Sequence, residues 1–150
     1  MEVLPLTGPH GRDIATWRYP GRYSTYDVGE VVTAADGYWA VVDVGEELFG
    51  YCCFGREARV PGVSEEPGTL DIGYGMRPER VGEGLGRAFV TTIVDFAIEE
   101  FSPQQMRVLI LSWNHRSRKV AEALGFQEGA MVRSVEGDFL VLVRPASRRP

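Results

Sequence analysis

Apolar residues along the chain fall mainly into short runs bounded by turn-forming residues, a pattern typical of β-strands. Residues 45–47 separate two such runs and residues 136–138 separate the last two, so each pair is predicted to form a hairpin. Gly73 and Gly75 interrupt the fourth run, which predicts a bulge or the close approach of another backbone. The predicted strands are Val3–Leu6, Tyr38–Val44, Leu48–Phe54, Thr69–Met76, Met106–Leu111, Ala130–Val135 and Phe139–Val143.

Helical periodicity replaces the strand pattern in the second half of the chain. Apolar side chains recur every three or four residues over 84–100, and a second helix is predicted over 117–124, with Gly125 at its C-terminal cap. Residues 10–36 are predicted to be helical or looped. This order of elements predicts an α/β (α+β) fold, a mixed sheet of about seven strands with helices on both faces.

Length and composition indicate one globular domain, which we place at residues 1–150. Hydrophobic residues make up 44% of the chain and charged residues 25%, values that exclude the disordered and fibrous classes. No apolar run approaches the roughly 20 residues that span a bilayer, and the first residues lack a signal-peptide pattern. We therefore expect no membrane association and a cytoplasmic location.

The cysteines and histidines predict neither a disulfide nor a metal site. Cys52 and Cys53 are adjacent, and neighbours in an extended segment point to opposite faces, so a bond between them would be strained. His10 and His115 lie far apart in sequence. We expect two buried free thiols in a reducing compartment and no bound metal.

The net charge of −5 is unevenly distributed. Residues 1–79 hold 13 acids against 6 bases, a net −7, whereas residues 80–150 hold 8 acids against 10 bases, a net +2. An acidic chain is a poor nucleic-acid binder, so no nucleic-acid partner is expected. The asymmetry suits a cationic substrate on one side and an anionic cofactor on the other, although ordinary solvated charge also explains it.

The strongest chemical signal is the glycine-rich segment between the fourth strand and the long helix, with the sequence RVGEGLGR over residues 80–87. Closely spaced glycines let successive backbone N–H groups point at one spot, where the helix N-terminus adds partial positive charge. Such a turn suits an anion, above all a pyrophosphate; a glycine-rich helix start without a ligand is the alternative. A P-loop string is absent from the sequence, and Arg87 stands where a dinucleotide fingerprint requires glycine or alanine.

Three further segments accompany this turn: residues 71–78 before it, residues 114–119 after the next strand, and the triplet 124–126. Together, over about residues 69–126, they resemble the GNAT superfamily of acetyl-CoA-dependent N-acetyltransferases, whose sheet is mostly antiparallel. The turn is similar to the family's Q/R-x-x-G-x-G/A motif, with Val81 where glutamine or arginine is usual. The spacing from Asn114 to Phe126 most resembles the branch of ribosomal-protein N-terminal acetyltransferases and their small-molecule relatives.

The resemblance implies acetyl-CoA as the acetyl donor and suggests its contacts. The Met76 backbone would pair with the pantetheine arm, and its N–H would act as an oxyanion donor to the thioester carbonyl. Asn114 and Ser117 would lie near the pantetheine and the leaving sulfur, and Asn114 also suits a helix N-cap. The amides implied for the pyrophosphate are those of Val81, Gly82, Glu83, Gly84, Gly86 and Arg87.

The resemblance also implies a base for the proton of the acceptor amine. Asp71 holds the position where the family often carries an acid; an exposed strand aspartate is the alternative. The tyrosine that many relatives carry seven residues after the asparagine is Ala121 here. Ser117 and Tyr74 are then the side-chain candidates, besides water, for protonating the leaving thiolate.

Four aromatic residues near the N-terminus bear on the acceptor. Their rings either wall a pocket for a cation or pack the helices onto the sheet, and packing is expected for at least two of them. They are Trp17, Tyr19, Tyr23 and Tyr26.

These features predict an N-acetyltransferase in which a primary amine of a small cationic molecule attacks acetyl-CoA directly in a ternary complex, because no cysteine lies at a suitable nucleophile position. A protein N-terminus is the alternative acceptor. A non-catalytic acyl-CoA sensor is the alternative function, favoured by Ala121. Homodimers are common among such proteins, but the sequence does not indicate the oligomeric state.

Overall fold

Seven strands and three α-helices make up the regular structure of residues 1–147, the part of the chain that the computed structural model describes. The strands are β1 (Glu2–Pro5), β2 (Tyr38–Val42), β3 (Leu48–Phe54), β4 (Thr69–Met76), β5 (Gln105–Leu111), β6 (Gln127–Ser134) and β7 (Gly137–Pro145). The helices are α1 (Gly8–Ala15), α2 (Gly86–Phe101) and α3 (His115–Ala123), with short 3-10 helices at Gly21–Tyr26, Ala34–Asp36, Gly55–Ala58 and Pro78–Arg80.

One sheet contains all seven strands in the order β1-β2-β3-β4-β5-β7-β6. Every neighbouring pair is antiparallel except β4 and β5, which are parallel. The pairing of β4 with β5 ends at Asp71 and Arg107, although β4 continues beside β3 and β5 continues beside β7. The two strands therefore diverge and open a cleft in the middle of the sheet. The predicted mixed α/β fold is confirmed.

Two apolar cores cover the two faces of this sheet. Phe89, Ile93 and Ala97 of α2 pack with strand residues on one face, and α3 adds Ala121 there. On the other face Ile14 of α1 packs with residues that include Trp17 and Tyr51. Burial of these side chains holds the helices on both faces, as the sequence pattern predicts.

The bulge predicted in β4 is wrong. The register between β3 and β4 is continuous, and the irregularity lies in the β2–β3 pair, between Val41 and Val42. Gly73 and Gly75 accommodate neighbouring side chains: a Cβ at Gly75 would lie 2.5 Å from the Tyr51 ring. At Gly75 the close approach is thus that of a side chain, whereas a Cβ at Gly73 would also lie 3.4 Å from the Ala58 backbone.

Other boundaries differ modestly from the prediction. The helix expected from residue 84 begins at Gly86, because Gly84 has a left-handed φ of 78° that α-helix does not allow. Cys52 and Cys53 are buried and unpaired, as predicted. In the described part of the chain no helix combines the length and apolar character needed to cross a bilayer.

Candidate active site

A cavity of about 680 Å³ fills the cleft between β4 and β5, a volume typical of small-molecule sites. Its walls are β4 from Ile72 to Met76, β5 from Val108 to Ile110, the start of α2 and the start of α3. Tyrosine rings from the N-terminal segment and from β3 form the remaining wall. The cavity exists because two neighbouring strands separate halfway along their length.

Backbone groups of β4 point into this cleft. The Arg77 N–H donates to the Phe49 carbonyl at 2.8 Å, and Gly50 pairs with Met76 across the strands. In an antiparallel ladder, residues alternate between facing the partner strand and facing away from it. The N–H and C=O of Met76, and those of Tyr74, therefore face away from β3, toward the cleft.

The glycine turn forms one mouth of the cavity. Gly82 and Gly84 have φ values of 90° and 78°, which place them in the left-handed region that favours glycine. Among the hydrogen bonds of residues 1–147, none is donated by a backbone N–H of residues 82–88, since α2 makes its first such bond from Phe89. Seven consecutive donors at a helix N-terminus form a strong anion-binding feature.

This arrangement changes the set of amides inferred from the sequence. The Val81 N–H donates to the Pro78 carbonyl at 3.3 Å, so it is already used within the protein. The amides of Leu85 and Ala88, which sequence reasoning omitted, have no partner there. Those of Gly82, Glu83, Gly84, Gly86 and Arg87 are free, as expected.

Ion pairs attach the turn to the sheet. Arg80 donates to Glu83 at 2.8 Å and to Asp43 at 3.2 Å, and its guanidinium lies 4.8 Å from the Phe49 ring centroid. The Glu83 carboxylate is thereby paired with Arg80. The exposed Arg87 lines the cavity and adds a positive charge beside the free amides.

Asn114 joins α3 to the N-terminal segment. Its Oδ1 accepts from the Ser117 N–H at 3.1 Å, which makes it the N-cap of α3, and its Nδ2 donates to the Tyr26 hydroxyl at 2.8 Å. Asn114 is buried, and both Asn114 and Ser117 line the cavity. The cap role is confirmed, and contacts of either side chain with the cofactor stay a prediction.

Asp71 does not face the cavity. Its carboxylate accepts from Arg107 at 2.5 and 3.0 Å and from Arg59 at 2.8 Å, and the residue is 1% exposed. A carboxylate held by two guanidinium groups and absent from the cavity wall is poorly placed to accept a substrate proton. The placement does not favour the predicted role of Asp71 as the base, which stays a prediction, and the burial contradicts the alternative of an exposed aspartate.

The four N-terminal aromatic residues divide between the two predicted roles. Trp17 is 4% exposed, and its indole N–H donates to Asp13, so it packs α1 onto the sheet. The other three line the cavity, and two of them, Tyr23 and Tyr26, also contact the Trp113 ring at 5.1 and 6.1 Å between centroids. Tyr23 and Tyr26 therefore both line the cavity and pack against Trp113.

Tyr19 connects this wall to β4. Its hydroxyl donates to the Met76 carbonyl at 2.5 Å, and its backbone N–H donates to Asp27 at 2.8 Å. Burial, reinforced by the nearby charges of Asp27 and Glu79, raises the pKa of the Tyr19 phenol. The phenol is therefore a hydrogen-bond donor at neutral pH.

Sequence reasoning missed two residues of this region, Tyr51 and Trp113. Tyr51 lies in an otherwise apolar run, and only its hydroxyl distinguished it from a core residue. Its side chain lines the cavity, and burial raises the pKa of its phenol. Trp113 contacts the rings of the N-terminal segment, and Arg22 lies 3.9 Å above its ring.

The cavity wall therefore combines the unpaired amides of the glycine turn, which suit an anion, with hydroxyl groups and aromatic rings. Backbone donors that point into the cavity suit a carbonyl oxygen that gains negative charge. Within residues 1–147 no group of three potential metal-binding side chains occurs.

A comparison with protein families matches residues 10–127 to the family described as "Acetyltransferase (GNAT) domain". Among curated proteins, thialysine N-epsilon-acetyltransferase from Bos taurus is 26% identical in an alignment of length 121 that covers 67% of this chain and 66% of that protein. The chain thus spans slightly less than two thirds of that relative's length.

Solved structures share the fold. An aminoglycoside acetyltransferase in complex with coenzyme A gives a TM-score of 0.73 at 16% identity, over 96% of this chain and 94% of that one. Ribosomal-protein-S5-alanine acetyltransferase from Vibrio fischeri gives 0.68 at 17% identity, over 99% and 94%. At these identities the likeness concerns the fold alone.

Proposed function

The chain belongs to the GNAT acetyltransferase family and is an acyltransferase, and from that premise we propose that it transfers an acetyl group from acetyl-CoA to a primary amine of a small cationic molecule. In this proposal the amine attacks directly within a ternary complex. The observation that carries the proposal is the run of unpaired amides at residues 82–88, located at one mouth of the cleft between β4 and β5.

The residues present fit acetyl-CoA. The pyrophosphate would accept hydrogen bonds from the turn, and Arg87 adds charge of the right sign. Main-chain groups of Tyr74 and Met76 lie along the cleft, where an extended pantetheine arm would pair with them as an added strand. Acetyl-CoA supplies a thioester acyl group, and the Met76 N–H is the proposed donor to its carbonyl oxygen.

Two features support direct attack. Cys52 and Cys53 are absent from the cavity wall, and burial, together with the charge of Glu57, raises the pKa of Cys53 to about 12. Neither thiol is thus placed to carry the acetyl group. Ser117 lines the cavity at the start of α3 and is the proposed donor of a proton to the leaving sulfur.

The tyrosine wall supports a cationic acceptor. Guanidinium groups already occupy two rings of this region, Arg22 above Trp113 at 3.9 Å and Arg116 above Tyr23 at 4.9 Å. Within residues 1–147 no guanidinium lies over the rings of Tyr19, Tyr26 and Tyr51, so we place the acceptor ammonium beside them. The carboxylates of Asp27 and Glu79, which raise the pKa of Tyr19, favour the same charge.

The relatives are named for amine acceptors: thialysine, an aminoglycoside and the alanine of a ribosomal protein. They support the reaction class, and the choice among acceptors is part of the proposal. The cytoplasmic location and the homodimer stay predictions.

The test is an acetyl-transfer assay with acetyl-CoA and a panel of amines, following free thiol release and the mass of the acetylated product. The panel holds diamines, lysine analogues and peptides with free N-termini. We expect release to depend on a small cationic amine. Release with peptides alone would favour the N-terminal alternative, and tight binding of acetyl-CoA with no thiol above hydrolysis would favour the sensor.

A further inference from the structure

The Tyr74 hydroxyl is a buried polar group that the fold itself does not satisfy. Among residues 1–147 it is the one buried side-chain polar atom without a hydrogen-bond partner. The Tyr74 ring packs edge-on against Phe89 of α2 at 6.0 Å between centroids, and the residue lines the cavity. A buried hydroxyl without a partner costs about 1–3 kcal/mol, so its presence at the cavity calls for a role.

Ser117 is a neighbour of this hydroxyl, and both residues line the same cavity. The Ser117 hydroxyl lies close enough to offset part of the rise that burial causes in the pKa of the Tyr74 phenol, although no hydrogen bond of good geometry joins them. One turn further along α3, at the position where related enzymes carry a tyrosine, stands the small, buried Ala121. The phenol near the start of α3 thus belongs to Tyr74 of β4 and not to a tyrosine of α3 itself.

We propose that Tyr74 is a positioning residue for catalysis, whose hydroxyl donates a hydrogen bond to Ser117 Oγ while Ser117 protonates the leaving thiolate. This inference rests on the proposed acetyl transfer and names the group that supports its proton donor. Tyr74 itself does not need to reach the sulfur, because Ser117 transfers the proton in this inference, and the Tyr74 hydroxyl is shielded from the solvent.

The amine nitrogen forms a bond to the acetyl carbon, the bond from that carbon to sulfur breaks, and the sulfur takes the electron pair. Ser117 Oγ–H gives its proton to the sulfur while the serine oxygen takes up a proton from the water that has accepted the ammonium proton, so no free alkoxide forms. The hydrogen bond from Tyr74 stabilises the partial negative charge that develops on Ser117 Oγ during this transfer.

A phenol suits this role because it stays protonated. Burial raises the pKa of Tyr74, and the nearby Tyr26 phenol raises it further. The hydroxyl is then a fixed donor across the pH range in which an amine substrate reacts. Tyr74 would in this way partly replace the helix tyrosine that is absent at Ala121.

The test is a double-mutant cycle between Tyr74→Phe and Ser117→Ala, measured as kcat and as KM for acetyl-CoA. Phenylalanine keeps the ring and its contact with Phe89 while removing the hydroxyl. Tyr38→Phe is the matched control, because it removes a half-buried phenol of β2 that lies outside the cavity. Circular dichroism and thermal unfolding check that each variant is folded.

We expect Tyr74→Phe to lower kcat about tenfold to a hundredfold, the effect of one hydrogen bond to a charged group, with KM for acetyl-CoA changed less than about threefold. In the Ser117→Ala background, adding Tyr74→Phe should change kcat little, because the group it supports is gone. Tyr38→Phe should resemble the wild type.

Three results would overturn the inference. The first is an unchanged kcat in Tyr74→Phe, and the second is a loss expressed only in KM. The third is an equal loss in both Ser117 backgrounds, since a structural effect would not depend on Ser117. If the wild type releases no thiol with any amine, the proposed function fails as well, whereas an active wild type with any of these results removes only the role of Tyr74.

Discussion

Hydroxyl groups supply the polar side-chain chemistry at the centre of the cavity. The side chains lining it include Tyr19, Tyr26, Tyr51, Tyr74 and Ser117, and within the described chain no carboxylate or histidine lines it. A primary amine with a pKa near 10 is about one part in a thousand neutral at pH 7, a handicap of roughly 4 kcal/mol. With Asp71 paired to two arginines, we expect the ammonium proton to leave to water.

This assignment predicts the pH dependence of the reaction. If water accepts the ammonium proton, kcat/KM for the amine should rise about tenfold per pH unit from pH 6 to near the pKa of the acceptor, as the neutral amine becomes more abundant. Steady-state assays with two amines of different pKa check it. For each amine, kcat/KM should level off near the pKa of that amine. A plateau that begins near pH 7 with both amines would reveal a base in the enzyme.

At the scale of elements, the start of α3 links cofactor and acceptor sides. Asn114 caps the helix and also holds the Tyr26 hydroxyl, so one side chain fixes Ser117 on α3 and the 3-10 helix Gly21–Tyr26. Tyr23 of that 3-10 helix packs against Trp113, the residue before Asn114. Trp113 and Asn114 therefore hold both the tyrosine rings of the proposed acceptor wall and Ser117, the proposed proton donor.

Asn114→Ala should affect both the stability of the protein and the binding of the amine. Loss of the cap should lower the free energy of unfolding by about 1 kcal/mol. Loss of the bond to Tyr26 should in addition raise KM for the amine. Chemical denaturation and steady-state kinetics measure the two effects.

The matched control for this variant is Thr7→Ala, which removes the N-cap of α1, where Thr7 accepts from the His10 N–H. Thr7→Ala should lose similar stability with no change in KM. If Thr7→Ala raised KM as much as Asn114→Ala does, general destabilisation would explain both variants.

At the scale of the whole molecule, the cleft depends on where the two halves of the sheet meet. Pairing of β4 with β5 ends at Asp71 and Arg107, and an ion pair joins those two side chains at that point. Arg59 adds a second contact to Asp71, from the segment between β3 and β4. The buried cluster thus ties the strands together just before they separate, and one domain over residues 1–150 stays a prediction.

Asp71→Asn tests this structural role against the catalytic one. Removing the charge takes the shared carboxylate away from two guanidinium groups, and Arg107 keeps only its pair with the exposed Glu66, so the free energy of unfolding should fall by about 3–5 kcal/mol. Asp138→Asn is the control, because its pair with Arg133 is largely exposed and should contribute about 1 kcal/mol or less. At temperatures where Asp71→Asn is still folded, kcat should lie near the wild-type value; a folded but inactive variant would restore Asp71 as the base.

The sequence predicted the fold well because each strand and helix carries its own periodic signal. The glycine turn was also predictable, since Gly82 and Gly84 are required by local backbone conformation. Two aspects of the site were not. The ion pairs of Asp71 could not be predicted because they depend on Arg59 and Arg107, and Arg107 lies 36 residues away along the chain. Tyr74 was a candidate from the sequence, but the place of Tyr51 in the cavity wall depends on the divergence of β4 and β5, a tertiary feature with no local pattern.

The most direct test of the central claim is a calorimetric titration of coenzyme A into the wild type, Gly84→Glu and Gly62→Glu. Both glycines have positive φ and open space at the Cβ position, so both variants should fold with similar strain and equal added charge. Only residue 84 lies among the unpaired amides. Gly62→Glu should bind coenzyme A like the wild type, and Gly84→Glu should bind at least about a hundredfold more weakly, a loss of about 2.7 kcal/mol. Equal affinity in the two variants would contradict the account.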